Sequence, residues 1–307
     1  MTTILLGPQR FTTTVGAIVR SLDLDGPIAM INSGWEERES DDAELAGHLG
    51  GRGVNLQLHH RMMDVLEKDE HFAAAALLFR DRQDELRTFY GIRLQAAIDA
   101  VHAVAHRSSL HAIGPVALQS AVEAVRDVDA WYAAELDELY RSFRATAPRD
   151  ESGTVGWHRG EIGAILDGCA GVVIAGGNVR TLLRTLRVFD VVIRPELPVI
   201  AWSAGAMVLT DDVVLFHDHA PHGVTAAEVF DRGLGRLPGI IALPHAKRRL
   251  LLDDHDRMAM MVRRFPDRRL TLLDDGAVVR FPDGATDLPA GARYIAVDGH
   301  VAVEGAA

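Results

Sequence analysis

Ser203 stands where an apolar run meets small residues, in Val199-Ile200-Ala201-Trp202-Ser203-Ala204-Gly205-Ala206. A nucleophile held on a sharp strand-to-helix turn needs small residues two before and two after it, because neighbouring backbone crowds it there. Ala201 and Gly205 meet that need, in an A-x-S-x-G version of the pattern. The plainer alternative is a serine capping an ordinary helix. Gly176-Gly177-Asn178 follows another apolar run, Gly171–Ala175, and opens a helix. Paired glycines let backbone N–H groups face a developing negative charge, so Gly176 and Gly177, with the Ala204 N–H, can form an oxyanion hole. A common tight turn is the competing reading, and no P-loop lysine accompanies it. A base is expected among the fourteen histidines. His245 ends the apolar run Gly239–Leu243, so it is placed at the carboxyl ends of the strands with Ser203. From residue types alone the acid is open among Asp211, Asp212, Asp218 and the pair Asp274-Asp275, each of which also reads as a solvated loop carboxylate.

Other residues offer rival chemistry. His217-Asp218-His219 and His222 have a spacing that can ligate a divalent metal, which would make a metal-dependent hydrolase. Histidine-rich loops beside an active site need no metal, so no metal is assigned. A non-catalytic binding protein is the third class. Trp35-Glu36-Glu37-Arg38-Glu39 follows the second strand. There Glu36 and Glu37 can hold a substrate ammonium beside the Trp35 wall, or simply sit in the acidic first turn of a helix. Asn178 joins them as an expected substrate contact. Arg180 and Arg184, one turn apart on the helix after Asn178, can meet a substrate carboxylate, but the favoured reading is that they face solvent. The lone Cys169 excludes an intrachain disulfide and reads as a small buried residue.

The elements that must position these groups come in two kinds. Ile4–Leu6, Pro27–Ile31 and Val54–Leu58 read as strands alternating with helices, as do Gly171–Ala175, Pro198–Trp202, Gly239–Leu243 and Leu270–Leu273. Such alternation implies a doubly wound, mostly parallel sheet with flanking helices. Between about 61 and 157 the pattern stops. Val128, Tyr132, Leu136, Leu139 and Phe143 recur there at helical spacing, and Gly114-Pro115 separates two long helical stretches. The expected organisation is a single α/β domain over 1–307 that carries a long helical insertion at 61–157. That insertion is expected to pack its apolar stripe on the parent domain, on a second copy of the chain, or on both, either as a lid or wall over Ser203 or as a dimer interface or added scaffold remote from the site. The tail segments Ala277–Phe281, Tyr294–Val297 and Val301–Val303 read as an antiparallel ribbon.

Composition narrows the classes further. The 307 residues carry a net charge of −11, which disfavours general affinity for nucleic acid or an anionic membrane. Arginine supplies all but two of the 32 cations, the lysines being Lys68 and Lys247. No window approaches the roughly 20 apolar residues that span a bilayer, and the N-terminus lacks a basic leader. A cytoplasmic protein is expected.

Five stretches together resemble peptidase family S51, which contains aspartyl dipeptidase (peptidase E) and cyanophycinase and shares the class I glutamine amidotransferase-like fold. They are Ile31–Glu37, Val172–Leu183, Ala201–Ala206, Phe230–His245 and Arg269–Gly276. The resemblance implies a serine peptidase or amidohydrolase that cleaves an amide bond in a small peptide or peptide-like substrate. Ser203 would be its nucleophile and His245 its base. The family has its acid in the loop after the nucleophile helix, an aspartate fifteen positions past the serine in peptidase E, so the resemblance implies Asp218 as the acid. No cofactor is implied. The sequence departs from the family at Ala201, in the elbow, and at Ala246, where an aromatic commonly follows the base. The long insertion has no counterpart in the small members.

Overall fold

The computed structural model describes residues 2–109, 111–218, 226–282 and 287–306. The chain opens with β1 (Thr3–Leu6), α1 (Val15–Ser21), β2 (Ile28–Ile31), a 3₁₀ turn (Ser33–Arg38), α2 (Ala43–His48) and β3 (Gly53–Asn55). Four helices follow: α3 (Leu58–Lys68), α4 (Glu70–Ala105), α5 (Ile113–Thr146) and α6 (Gly153–Asp167). Alternation then resumes with β4 (Gly171–Ile174), α7 (Val179–Val188), β5 (Val199–Trp202), α8 (Ala204–Val208), β6 (Asp212–Leu215) and β7 (Glu228–Arg232). The last part holds β8 (Ile240–Pro244), α9 (Ala246–Arg249), α10 (His255–Arg264), β9 (Arg269–Leu273), β10 (Val278–Phe281), β11 (Arg293–Ile295) and β12 (Val301–Val303).

The main sheet has the order β10-β1-β5-β4-β2-β3, parallel throughout except for β10 at one edge. Its inner strands β1, β2, β4 and β5 are buried at every position. That is why they read as unbroken apolar runs rather than alternating ones. Successive side chains leave on opposite faces. Ile4 and Leu6 join α1 and α2 in one core, whereas Leu5 joins α3, α6 and α7 in the other. The doubly wound α/β architecture expected from the sequence is therefore present.

Two expectations about the second half change. The strands β8 and β9 pair in parallel with each other, but in a separate sheet of order β12-β11-β9-β8. The tail ribbon also divides: β10 closes the edge of the main sheet against β1, while β11 and β12 extend the second sheet. Single-strand patterns show that a segment is buried, not which neighbour buries it.

The long helices α4 and α5 lie side by side. Gly114-Pro115 falls in the first turn of α5 rather than between the two helices. Proline loses no helical hydrogen bond there. The α5 stripe Val122, Val125, Val128, Tyr132 and Leu136 is buried in one core with Tyr90 and Leu94 of α4, Ile241 and Leu243 of β8, and Leu270 and Leu272 of β9. Tyr90 and Tyr132 stack at 4.2 Å between ring centroids. Within the same core, Arg264 of α10 makes 2.6 and 2.7 Å bonds to the Asp129 carboxylate of α5. The stripe's partner is thus the second sheet of its own chain.

Candidate active site

Ser203 follows the buried strand β5 directly, with φ 50° and ψ −123°. A non-glycine residue in that region costs on the order of 1–3 kcal/mol and persists only where its surroundings enforce it. The enforcement is visible at Gly205, where a Cβ would lie 2.3 Å from the Ile174 carbonyl oxygen. The small residue two after the serine is therefore a requirement of close backbone approach. Ala201, two before it, is fully buried.

Beside Ser203 runs the turn that follows β4. Gly177 has φ +116°, and a Cβ on it would lie 2.2 Å from the Gly34 carbonyl oxygen. The Asn178 N–H donates to that same oxygen at 2.7 Å. Asn178 also caps α7: its side-chain oxygen accepts from the Arg180 N–H at 3.0 Å, and its Nδ2 donates to Glu36 Oε1 at 2.9 Å. Thr181 Oγ1 donates to the same Glu36 oxygen at 2.7 Å. Glu36, itself at φ 58°, therefore ties the 3₁₀ turn to the start of α7. The N–H groups of Gly176, Gly177 and Ala204 have no hydrogen-bond partner among the described residues. Gly176 lies against the serine, where an added Cβ would fall 2.8 Å from Ser203 Cβ.

His245 follows β8 and takes left-handed backbone angles, φ 57° and ψ 32°, while its N–H donates to the Leu273 carbonyl at 3.1 Å. Its Nε2 lies 3.3 Å from Ser203 Oγ. The two residues meet although their strands belong to different sheets, because the carboxyl ends of β5 and β8 face one another and α8 packs on β8. Burial, then the cations of Arg249 and Arg248, hold the imidazole below the ordinary histidine value. Asp275 and, more weakly, Asp274 pull it up. The imidazole is therefore neutral at neutral pH, as a proton acceptor must be.

The expected bond from Asp218 to His245 is not made. Asp218 is buried, with its carboxylate held by Arg257 at 2.6 and 3.2 Å and by the Leu251 N–H at 3.0 Å. Its own N–H donates to the Arg249 carbonyl at 2.7 Å. A buried carboxylate takes the nearest cation, and here that cation comes from α10 rather than from the base. Asp218 thus anchors the segment that follows His245. Asp274 caps the start of α9 through the Lys247 N–H, 2.8 Å, and is itself held by Arg293 at 3.0 Å. Asp275 pairs with Arg248 at 3.2 Å. No described carboxylate bonds the second imidazole nitrogen.

Ser203 and His245 open onto a cleft of about 670 Å³ that is also lined by Trp35, Gly34, Gly176 and Gly177. Trp35 lines the cleft. Asn178, Glu36 and Glu37 do not line the cleft; the first two hold its glycine turn in place, and Glu37 is exposed. The cleft also presents Arg10, Arg38, Asp41, Glu44 and His48, which the sequence reading missed. Arg10 was legible, because Gly7-Pro8-Gln9-Arg10 leaves β1 at the same carboxyl edge. Arg38 pairs with Asp41 at 3.2 Å, whereas Arg10 has no carboxylate partner among the described residues. No described residue of 61–157 lines this cleft.

The remaining expectations fall elsewhere. His219 and His222 lie outside the described residues, His217 is exposed, and Asp218 is engaged as above. Among the described residues no group of three metal-ligating side chains occurs. Burial raises the Cys169 thiol, in keeping with a structural residue. Among the described residues no helix is long and apolar enough to cross a membrane. Arg180 and Arg184 do not simply face solvent: both line a recess between the long helices and α7.

Comparison with known proteins adds a family. The sequence model of peptidase family S51 matches residues 123–288, just over half of the chain, and that span includes Ser203, His245, both glycines of the turn and Asp274-Asp275. No curated protein matches the chain. Among solved structures the chain is similar to a peptidase from an acI-B1 Actinobacterium, at 12% identity over 99% of this chain and 95% of that one, with a TM-score of 0.47.

Proposed function

The chain belongs to peptidase family S51, and on that premise we propose that this peptidase is of the serine type and cleaves an amide bond in a small peptide or peptide-like substrate. The observation that carries the reading is Ser203 Oγ at 3.3 Å from His245 Nε2, on a strained turn between unpaired N–H groups. His245 Nε2 takes the Ser203 proton as Oγ attacks the substrate carbonyl carbon. The carbonyl oxygen becomes an oxyanion, received by the N–H groups of Ala204 and the Gly176-Gly177 turn. The imidazolium then protonates the leaving amine as the C–N bond breaks. Water, deprotonated by the same nitrogen, releases the acid from Ser203.

The negative field that stabilises the imidazolium is assigned to Asp275, the carboxylate acting most strongly on His245. Arg10, with no carboxylate partner among the described residues, is assigned to a substrate carboxylate at the cleft wall. The experiment is peptide hydrolysis by wild type, Ser203→Ala and His245→Ala, with labelling by a serine-reactive fluorophosphonate. Both variants should lose turnover by several orders of magnitude, and only proteins retaining Ser203 should be labelled. Wild-type turnover in purified Ser203→Ala would sink the serine mechanism.

A further inference from the structure

A second cavity, of about 260 Å³, lies where α4 and α5 pass over α7, and it shares no lining residue with the Ser203 cleft. Six arginines line it: Arg80, Arg144, Arg149, Arg180, Arg184 and Arg187. Only two carboxylates do, Asp190 and Asp231. In a chain of net charge −11, that concentration of cations in one recess is opposite to the molecule as a whole.

Most of these arginines are engaged. Arg187 pairs with Asp231 at 2.9 Å, Arg149 with Asp190 at 3.3 Å, and Arg180 with Asp84 at 2.7 Å. Arg80 reaches its exposed neighbour Asp81 at 3.1 Å. Arg144 and Arg184 have no partner among the described residues. Arg184 Nε is buried without a hydrogen bond. Burial and the cations of Arg80 and Arg180 weigh against the charge of Arg184. Glu36 favours that charge, but its Oε1 is already bonded to Asn178 and Thr181. A guanidinium does not shed its proton to relieve such a position. It needs an anion.

The apolar side of the cavity decides what kind. Phe79 packs against Tyr140 and Phe143 with ring centroids 4.9 and 5.2 Å apart, and all three line the recess. A bare inorganic ion would leave those rings wet. A carboxylate offers one fork to one guanidinium, whereas Arg80, Arg144 and Arg184 enter from three different helices. A phosphate head presents three oxygens and close to two charges.

We propose that this cavity is a binding site for a small organic phosphate monoester. Its phosphate lies among Arg184, Arg144 and Arg80, and its apolar or aromatic body lies on Phe79, Tyr140 and Phe143. The site is independent of Ser203 and does not rest on the serine mechanism.

The test is isothermal titration with phenyl phosphate, inorganic phosphate and benzoate, together with melting curves. Phenyl phosphate should bind one to one and more tightly than either other probe. Arg184→Gln should weaken it about tenfold or more, and Arg144→Gln should weaken it severalfold, since each removes a charge-assisted hydrogen bond. Ligand-free Arg184→Gln should melt no lower than wild type, because the variant removes a cation that neighbouring Arg80 and Arg180 disfavour and whose Nε has no hydrogen bond. Ser203→Ala should bind phenyl phosphate as wild type does. If Arg184→Gln misfolds, the exposed Arg144→Gln decides on binding alone. No binding by wild type at millimolar phenyl phosphate would overturn the proposal. So would equal affinity in both arginine variants, benzoate binding as tightly as phenyl phosphate, or loss of binding on covalent labelling of Ser203.

Discussion

At His245 two opposing influences meet, and each can be removed by one substitution. Burial and Arg249 lower the imidazole, while Asp275 raises it. A neutral imidazole is the working form, so kcat/KM should fall on the acid side with a midpoint below the ordinary value of about 6.5. Arg249→Gln removes a cation that disfavours protonation, so the midpoint should move up. Asp275→Asn removes an anion that favours it, so the midpoint should move down. A pH–rate profile of the three proteins checks both signs, and a midpoint that stays fixed in both variants would contradict the assignment. Asp275→Asn should also lower turnover on the order of 10²-fold through loss of imidazolium stabilisation. Asp218→Asn should act differently. It removes a buried carboxylate charge that accepts from Arg257 and the Leu251 N–H, so about 2–3 kcal/mol of stability should be lost in urea unfolding. Turnover per folded molecule should change less than in Asp275→Asn. The reverse ranking would restore Asp218 as the acid.

The helices α5 and α10 are joined at Arg264, whose guanidinium forks onto Asp129 and also donates to Tyr90 Oη at 3.0 Å. Both partners are largely withdrawn from water, with side-chain exposures of 5% and 13%. Removing one member of such a pair leaves a buried charge unpaired and costs about 3–5 kcal/mol. Asp129→Ala should therefore lower the unfolding free energy measured in urea by that amount. Asp129→Leu combined with Arg264→Met should recover much of it, because the penalty lies in the orphaned charge. Equal losses in the single and double variants would show that packing rather than charge is responsible.

The long helix pair is structural to the second sheet. Ile241, Leu243, Leu270 and Leu272 are each no more than 2% exposed, and they share one core with α4 and α5. Replacing 70–146 by a short loop would uncover that face, and an uncovered apolar sheet face associates. The shortened chain should aggregate, as read by size-exclusion chromatography. A soluble monomer with cooperative unfolding would return the helices to the status of an independent appendage. A mere change in substrate size preference is not expected, because the Ser203 cleft takes no wall from them.

Much of the site could be read from the residues in order. The inner strands of the main sheet are buried on both faces, so their apolar runs announce them, and the turns at Ser203 and Gly176-Gly177 announce themselves by small residues where backbone must pass close. These signals are local, set by backbone geometry over a few residues. What no local pattern contains is the choice of partner between segments far apart in the chain. Apolar runs alone do not tell that β8 and β9 leave the main sheet, nor that His245 still reaches Ser203 across the gap. Charge pairing behaves likewise: Asp218 lies fifteen residues past Ser203, but burial beside Arg257 of α10 settles where its carboxylate points. Arg184 has a solvent-facing look on its own helix, and only the assembled recess with the long helices leaves its Nε withdrawn from water without a partner. Desolvation and Coulomb energy depend on everything packed around a group, so the roles of charged side chains are settled last, by the assembled core.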